Sequence, residues 1–195
     1  MNVIRAFIAI RLSPEIYNSL DQVAVHLQER LPKAPIRWVV VKNVHLTIKF
    51  LGEVSVSNLE LLTKILHSEA SHHPPFEISV GDLGAYPSIK RPRVIWAGVK
   101  APPELHALQR GIEMETTRLG YARENREFSP HLTLGRVSRS ANATDIRRIS
   151  DVLGNCKVGY LGAARVRGVN LYRSDLKPSG AVYTEIFSAP LASSD

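Results

Sequence analysis

Cysteine is nearly missing from this chain. Cys156 is the single one in 195 residues, so no internal disulfide can form. A chain of this length buries an adequate core without covalent staples, and a lone thiol fits a reducing, cytoplasmic setting. Long apolar runs are also lacking. In the N-terminal stretch NVIRAFIAIRL, Arg5 and Arg11 bracket only a few apolar residues. That is neither a signal-peptide core nor a membrane span, so no membrane partner is expected. Acidic residues are short: 18 Asp and Glu against 25 Lys and Arg, for a net charge of +7. The excess is largely arginine in the second half, from Arg91 and Arg93 to Arg165, Arg167 and Arg173. A basic protein attracts polyanions, nucleic acid above all; on charge alone, a solvated basic surface fits equally well. Two common catalytic signatures are absent too. There is no Walker loop and no Gly-x-Ser-x-Gly elbow. His72-His73 adjoins Pro74-Pro75 with no third ligand at a recognisable spacing, so neither a metal nor a cofactor is expected.

What is present reads as alternating strands and helices. RAFIAIRL predicts a strand, after which Ser13 and Pro14 open a helix with Ile16, Leu20, Val23, Leu27 and Leu31 at helical spacing. VHLTIKFLG predicts a strand, and Ser57 with Glu60 predicts a capping box for a helix facing inward through Leu59, Leu62, Ile65, Leu66 and Ala70. FEISVGDLGAYPS and VIWAGV read as extended. The order then restarts. Pro102-Pro103 opens a helix with Leu105, Leu108, Ile112 and Leu119 inward and Gly120 as its stop. HLTLGRV predicts a strand, Asn142 caps a helix carrying Ile146, Ile149 and Leu153, and VRGVNLYRS and AVYTEIF close as strands. The terminal APLASSD reads as a frayed tail.

The two halves align at a nearly constant shift: 89 residues from Pro14 to Pro103, 86 from His45 to His131, 85 from Ser57 to Asn142, and 86 from Tyr86 to Tyr172. This points to internal duplication of a strand–helix–strand–helix–strand unit. Residues 1–195 are accordingly expected to form a single domain of two pseudo-symmetric lobes.

Each half carries one copy of His-Leu-Thr-aliphatic: His45-Leu46-Thr47-Ile48 and His131-Leu132-Thr133-Leu134. On a strand, residues two apart share a face. His45 and Thr47 therefore point one way and Leu46, Ile48 and Phe50 the other; His131 and Thr133 oppose Leu132 and Leu134. Two imidazoles that titrate near pH ~6.5 allow one to be neutral and the other charged at working pH. The neutral one takes a proton from water and the charged one gives a proton to a leaving oxygen. The Thr47 and Thr133 hydroxyls donate hydrogen bonds to phosphate oxygens. Hydrolysis of a strained cyclic phosphodiester suits this set without a metal. By symmetry either histidine fits either role.

The pair of His-x-Thr motifs resembles the two-histidine (2H) phosphoesterases, and most nearly the RNA 2′,3′-cyclic phosphodiesterases long called 2′-5′ RNA ligases. The likeness extends over RAFIAI, HLTIKFLGEV, VIWAGV, EFSPHLTLGR and LYRSDLKPSGAVYTEI. It implies an α+β, bilobal, duplicated fold, with two antiparallel sheets flanking a central cleft and helices on the outside. It implies hydrolysis of a terminal RNA 2′,3′-cyclic phosphate to a 2′-phosphate, with His45 as proton donor and His131 as acceptor. It implies RNA as partner, a monomer, and no cofactor. The reverse joining of such an end to a 5′-hydroxyl is a possible side activity. Two other readings stay open: a cyclic phosphodiesterase for small nucleotides or ADP-ribose cyclic phosphate, and a non-catalytic RNA-binding module.

Arg136 extends the second motif and suits bidentate phosphate binding. Strict alternation puts it opposite His131, so it reaches the cleft only if Gly135 bends the strand or the strand ends there. Parity places Lys49 on the His45 side, in reach of an RNA backbone. Phe7, Trp96, Tyr172 and Tyr183 are candidates to stack a base or to pack the core. Lys177-Pro178-Ser179-Gly180 faintly resembles the Lys-x-x-Gly of ATP-dependent ligases, but it lies in a turn-rich stretch without that motif's Asp and reads as a hairpin loop.

Overall fold

The computed structural model describes residues 2–178 and 180–192. The elements run β1 (Val3–Ile10), α1 (Pro14–Arg30), β2 (Ile36–Trp38), β3 (Leu46–Ser55), α2 (Leu59–Ser71), β4 (Phe76–Ser88), β5 (Arg91–Lys100), α3 (Pro103–Arg118), β6 (His131–Val137), α4 (Ala143–Asn155), β7 (Tyr160–Val166), β8 (Gly168–Lys177) and β9 (Gly180–Pro190). Among the described residues no helix is long and apolar enough to cross a membrane.

Helix α1 begins with Pro14 at a position where the missing N–H costs nothing and buries Ile16, Leu20, Ala24 and Leu27 along one stripe. Ala24 takes the inward place expected of Val23, which is only half-buried. Helix α4 opens with a complete capping box: the Asp145 amide donates to Asn142 Oδ1 (2.9 Å) and the Asn142 amide to Asp145 Oδ2 (3.0 Å), worth about 1 kcal/mol. The box expected at Ser57 and Glu60 does not form. A 3-10 turn over Val56–Asn58 delays α2 to Leu59, Ser57 Oγ bonds Ser55 Oγ instead, and Glu60 pairs with Lys64. The C-terminal stretch is no frayed tail as far as it is described. Ala189 and Leu191 are buried, and the Ala192 amide donates to His73 O. Residues 193–195 and Ser179, in the expected hairpin loop, lie outside the described residues.

The fold is α+β, with two antiparallel sheets of order β3-β1-β8-β9 and β2-β6-β5-β4-β7. Strands β2 and β7 add to those expected; a three-residue strand and the Gly- and Ala-rich YLGAARV leave little alternation to read. The duplicated units interlock. β1 and β3 of the first half pair in the first sheet, but β4 of that half joins β5 and β7 in the second. Conversely, β5 and β6 pair in the second sheet, while β8 crosses to join β1 and β9 in the first. The helices follow suit: α2 and α3 pack on the first sheet, α1 and α4 on the second. Strands β3 and β6 approach each other where the sheets meet.

Both of these strands break alternation at the same place. Opposite β1, Thr47 pairs with Ala9 and Lys49 with Ile8, leaving Ile48 as an extra residue. Opposite β5, Thr133 pairs with Trp96 and Gly135 with Ile95, leaving Leu134 extra. Ile48 and Leu134 are 86 residues apart, the shift that separates the histidines. Each bulge reverses the facing of the residues after it, in β3 as far as a second extra residue at Leu51. Lys49, expected in the cleft, is therefore buried at 4% exposure, and Phe50, expected in the core, is 65% exposed. The ammonium of Lys49 meets Glu113 Oε1 of α3 at 2.6 Å and Ala122 O at 2.5 Å. The Glu124 amide donates to the same carboxylate oxygen (2.9 Å). The lysine thus ties β3 to α3 and to the loop that leads toward β6.

A buried charge left without its partner costs about 3–5 kcal/mol. Lys49→Met is expected to lose stability on that scale in urea unfolding, and Lys49→Met with Glu113→Gln to recover part of it. A loss for Lys49→Met below about 1 kcal/mol, the range of exposed pairs, would show that the pair is solvated.

Candidate active site

The two His-Leu-Thr segments come together at the approach of β3 and β6. Each imidazole is held the same way. His45 Nδ1 lies 2.8 Å from Asn43 O, and His131 Nδ1 lies 2.7 Å from Ser129 O. A carbonyl only accepts, so Nδ1 carries the proton in both rings and Nε2 is left for chemistry. Asn43 and Ser129 are again 86 residues apart, so the duplication reaches the atoms that orient the rings.

Aromatic side chains back each histidine. Phe7 stacks on His45 with ring centroids 4.5 Å apart, Tyr172 stacks behind Phe7 at 5.3 Å, and Tyr183 meets the His45 ring edge-on at 5.1 Å. Around His131 stand Tyr86 at 5.0 Å and Trp96 at 6.3 Å. Tyr86 also shares a hydrogen bond with Ser129 Oγ (2.8 Å). The Trp96 ring lies over Gly84, where an added Cβ would fall 2.1 Å from its Cη2 atom. Of the four aromatics considered for stacking, Phe7 is packed away, whereas Tyr172, Tyr183 and Trp96 are only partly covered.

Burial dominates the electrostatics. It lowers the His45 pKa to about 4, against the opposing hydrogen bond to Asn43 and with help from the Arg136 charge. It lowers that of His131 as well, opposed by Ser129 and assisted by the same Arg136. Arg136 therefore acts on both rings. The bulge at Leu134 brings it to their face while it remains within the strand; no bend at Gly135 is needed, and Trp38 and Ile36 pack over Gly135 on the opposite side. Thr47 and Thr133 are half-exposed on β3 and β6, each two residues after its histidine. Tyr172 is held as a neutral phenol, its pKa raised to about 12 by burial and by Glu185.

Family and fold comparisons agree on the kind of protein. The model of the LigT-like phosphoesterases matches residues 10–96 and 99–183, one stretch in each half. The chain belongs to the LigT-like phosphoesterase family. An RNA 2′,3′-cyclic phosphodiesterase from Methanothermobacter thermautotrophicus is 33% identical over 94% of this chain and 96% of its own. One of the same name from Methanocaldococcus jannaschii is 32% identical over 93% and 98%. Among solved structures, a Thermus thermophilus protein has a TM-score of 0.80 at 26% identity, covering 96% of this chain and 98% of that one. Escherichia coli LigT complexed with 3′-AMP has a TM-score of 0.75 at 26% identity, covering 98% and 100%.

In this family member a cavity of about 700 Å³ adjoins His45, lined among others by Arg11, Tyr17, Lys42, Tyr172 and Tyr183. A smaller one of about 260 Å³ lies beside Trp96, Gly98 and Lys100. Arg11 and Lys100 stand 89 residues apart, as do Phe7 and Trp96; the duplication has left two hollows of unequal size. Among the described residues no group of three or more His, Cys, Asp or Glu is placed to hold a metal, and His73 instead pairs with Glu69 (2.8 Å). Asn43 and Ser129 escaped the sequence reading because they act through backbone carbonyls. Tyr86 left a trace there as half of the Tyr86 and Tyr172 repeat.

With the folded pKa of His45 depressed, the unfolded chain binds that proton more readily. The contribution of neutral His45 to stability is complete above pH ~6.5 and is lost as pH falls toward about 4. In proton NMR the His45 ring should titrate with a midpoint near 4 in the free protein, and saturating inorganic phosphate should raise that midpoint. A midpoint indifferent to phosphate would remove His45 as a proton donor to a phosphate ester.

Proposed function

We propose that this protein hydrolyses the terminal 2′,3′-cyclic phosphate of RNA, with His45 as proton donor and His131 as proton acceptor and no metal. The observation that carries the reading is the matched pair of imidazoles, each fixed by an Nδ1–H bond to a backbone carbonyl and both within the field of Arg136. The names of the relatives support the substrate class. The same reading takes residues 1–195 as one domain of two lobes, because each half of the sequence lends a strand to the other's sheet.

His131 Nε2 accepts a proton from water as its oxygen attacks phosphorus. The phosphorus–O3′ bond breaks, and His45 Nε2–H gives its proton to the leaving O3′, which leaves a 2′-phosphate. Thr47, Thr133 and Arg136 hold the two non-bridging oxygens, whose charge rises on the way. In-line attack puts the ribose on the side away from the water. The larger cavity adjoins His45, which supports ribose and base on that side and water at His131. His45 must be charged to donate. In the empty cleft, burial and Arg136 keep it neutral; the phosphate anion supplies the counter-charge that raises its pKa on binding.

His45→Ala and His131→Ala should each lose on the order of 10²–10⁴-fold in turnover of an oligoribonucleotide cyclic phosphate. The double variant should lose less than the product of the two. Activity should survive EDTA, and phosphorus NMR should find only the 2′-phosphate. Near-wild-type turnover by either single variant would end the two-histidine reading, and rescue of an EDTA-inactivated enzyme by Zn²⁺ or Mn²⁺ would replace it with metal catalysis. A 3′-phosphate product would mean that the cyclic phosphate lies reversed between His45 and His131.

A further inference from the structure

Edge strand β2 is three residues long, and its central residue is an arginine. Arg37 lies directly opposite Arg136 in the antiparallel ladder, with Ile36 opposite Val137 and Trp38 opposite Gly135. Residues paired in this way share a face. Trp38 and Ile36 close over the Gly135 side, where an added Cβ would meet each at 3.0 Å. Arg37 therefore stands on the other face with Arg136, the arginine that acts on both histidines. Like charges directly opposed across two strands are destabilising, and the strands themselves are only about 4.8 Å apart. No carboxylate relieves the pair: among the described residues the ion pairs involve Lys49, Lys64, His73, Arg118, Arg126 and Arg173, and neither Arg37 nor Arg136. Arg37 also reaches across to the first sheet. Its Nη2 lies 3.4 Å from where a Cβ on Gly180 would stand, at the start of β9. Asn43, two residues before His45, donates to Ala181 O beside it (3.0 Å). The guanidinium thus sits where β2, β9 and the His45 segment converge.

We propose that Arg37 forms a second phosphate subsite, which takes the phosphodiester on the 5′ side of the terminal nucleotide. The inference rests on the cyclic phosphodiesterase reading and adds the preference for a chain over a mononucleotide. One reacting phosphate carries a single negative charge, and two hydroxyls, two imidazoles and Arg136 already surround its place. A second unpaired guanidinium one strand farther out matches the next anion along a polymer. It has no counterpart in a free cyclic nucleotide, which has only one phosphate. Arg37 is a specificity-determining residue in this assignment.

The experiment compares Arg37→Ala and Arg37→Lys with wild type on adenosine 2′,3′-cyclic phosphate and on a trinucleotide ending in the same cyclic phosphate. For Arg37→Ala, kcat/KM on the trinucleotide should fall about tenfold, mainly through KM, as expected for about 1.4 kcal/mol of lost binding. On the mononucleotide it should fall less than about twofold. The slope of log(kcat/KM) against log salt for the trinucleotide should become shallower by about 0.7, one single-strand phosphate contact, and Arg37→Lys should restore most of that slope. An equal fall on both substrates, or no fall on either, overturns the subsite. Fluorescence anisotropy of a labelled trinucleotide bearing a 2′-phosphate reads the same contact without turnover. If wild type cleaves neither substrate, the phosphodiesterase reading fails; equal trinucleotide affinity of wild type and Arg37→Ala then rejects the subsite on its own account.

Discussion

The equivalent extra residues of the two central strands, Ile48 and Leu134, govern what the cleft contains. Side chains on a strand alternate with a period of two, so one inserted residue reverses every position after it. At Leu134 the reversal brings Arg136 to the face of the histidines; at Ile48 it brings Phe50 there and sends Lys49 inward. The two bulges are equivalent under the duplication, but the residues they deliver are not. One strand presents a guanidinium and the other a phenyl ring. The lysine turned inward requires a partner, and Glu113 of α3 provides it. A local change in strand register therefore sets the polarity of the cleft and the charge balance behind it.

That asymmetry acts on two imidazoles held alike. Backbone carbonyls two residues upstream fix both tautomers, at nearly equal distances. Burial and one shared cation disfavour the charged form of both. With this balance, a bound anion would offset the guanidinium and favour a proton on the pair. Unequal hollows on the two sides then distinguish groups that the symmetry made equal.

The exchange of β4 and β8 between sheets makes the two halves mechanically dependent. Neither half of the sequence closes a sheet alone, because one of the two strands that flank β1 comes from the second half and one of the two that flank β5 from the first. Tyr172, on β8, stacks behind the Phe7 and His45 of the first half, and Tyr86, on β4, meets the His131 of the second. Each histidine thus draws aromatic support from both repeats, Phe7 and Trp96 from its own and Tyr172 and Tyr86 from the other.

The sequence by itself determined the alternation of elements, the duplication and the pair of chemical motifs. These rest on local spacing: a helical stripe such as Ile16, Leu20 and Leu27, a cap such as Asn142, and a shift of 86 between His45 and His131. Tertiary structure decided which side chains meet. Bulges arise from pairing with a neighbouring strand, so the facing of Lys49, Phe50 and Arg136 was invisible to parity along one strand. Strand exchange is a choice of long-range partner, and the local patterns of β4 and β8 do not name one. Arg37 was one basic residue among many until its register with Arg136 set two like charges side by side. Local pattern encodes what each segment is; the long-range pairing that gives each side chain its neighbours emerges only when the sheets close.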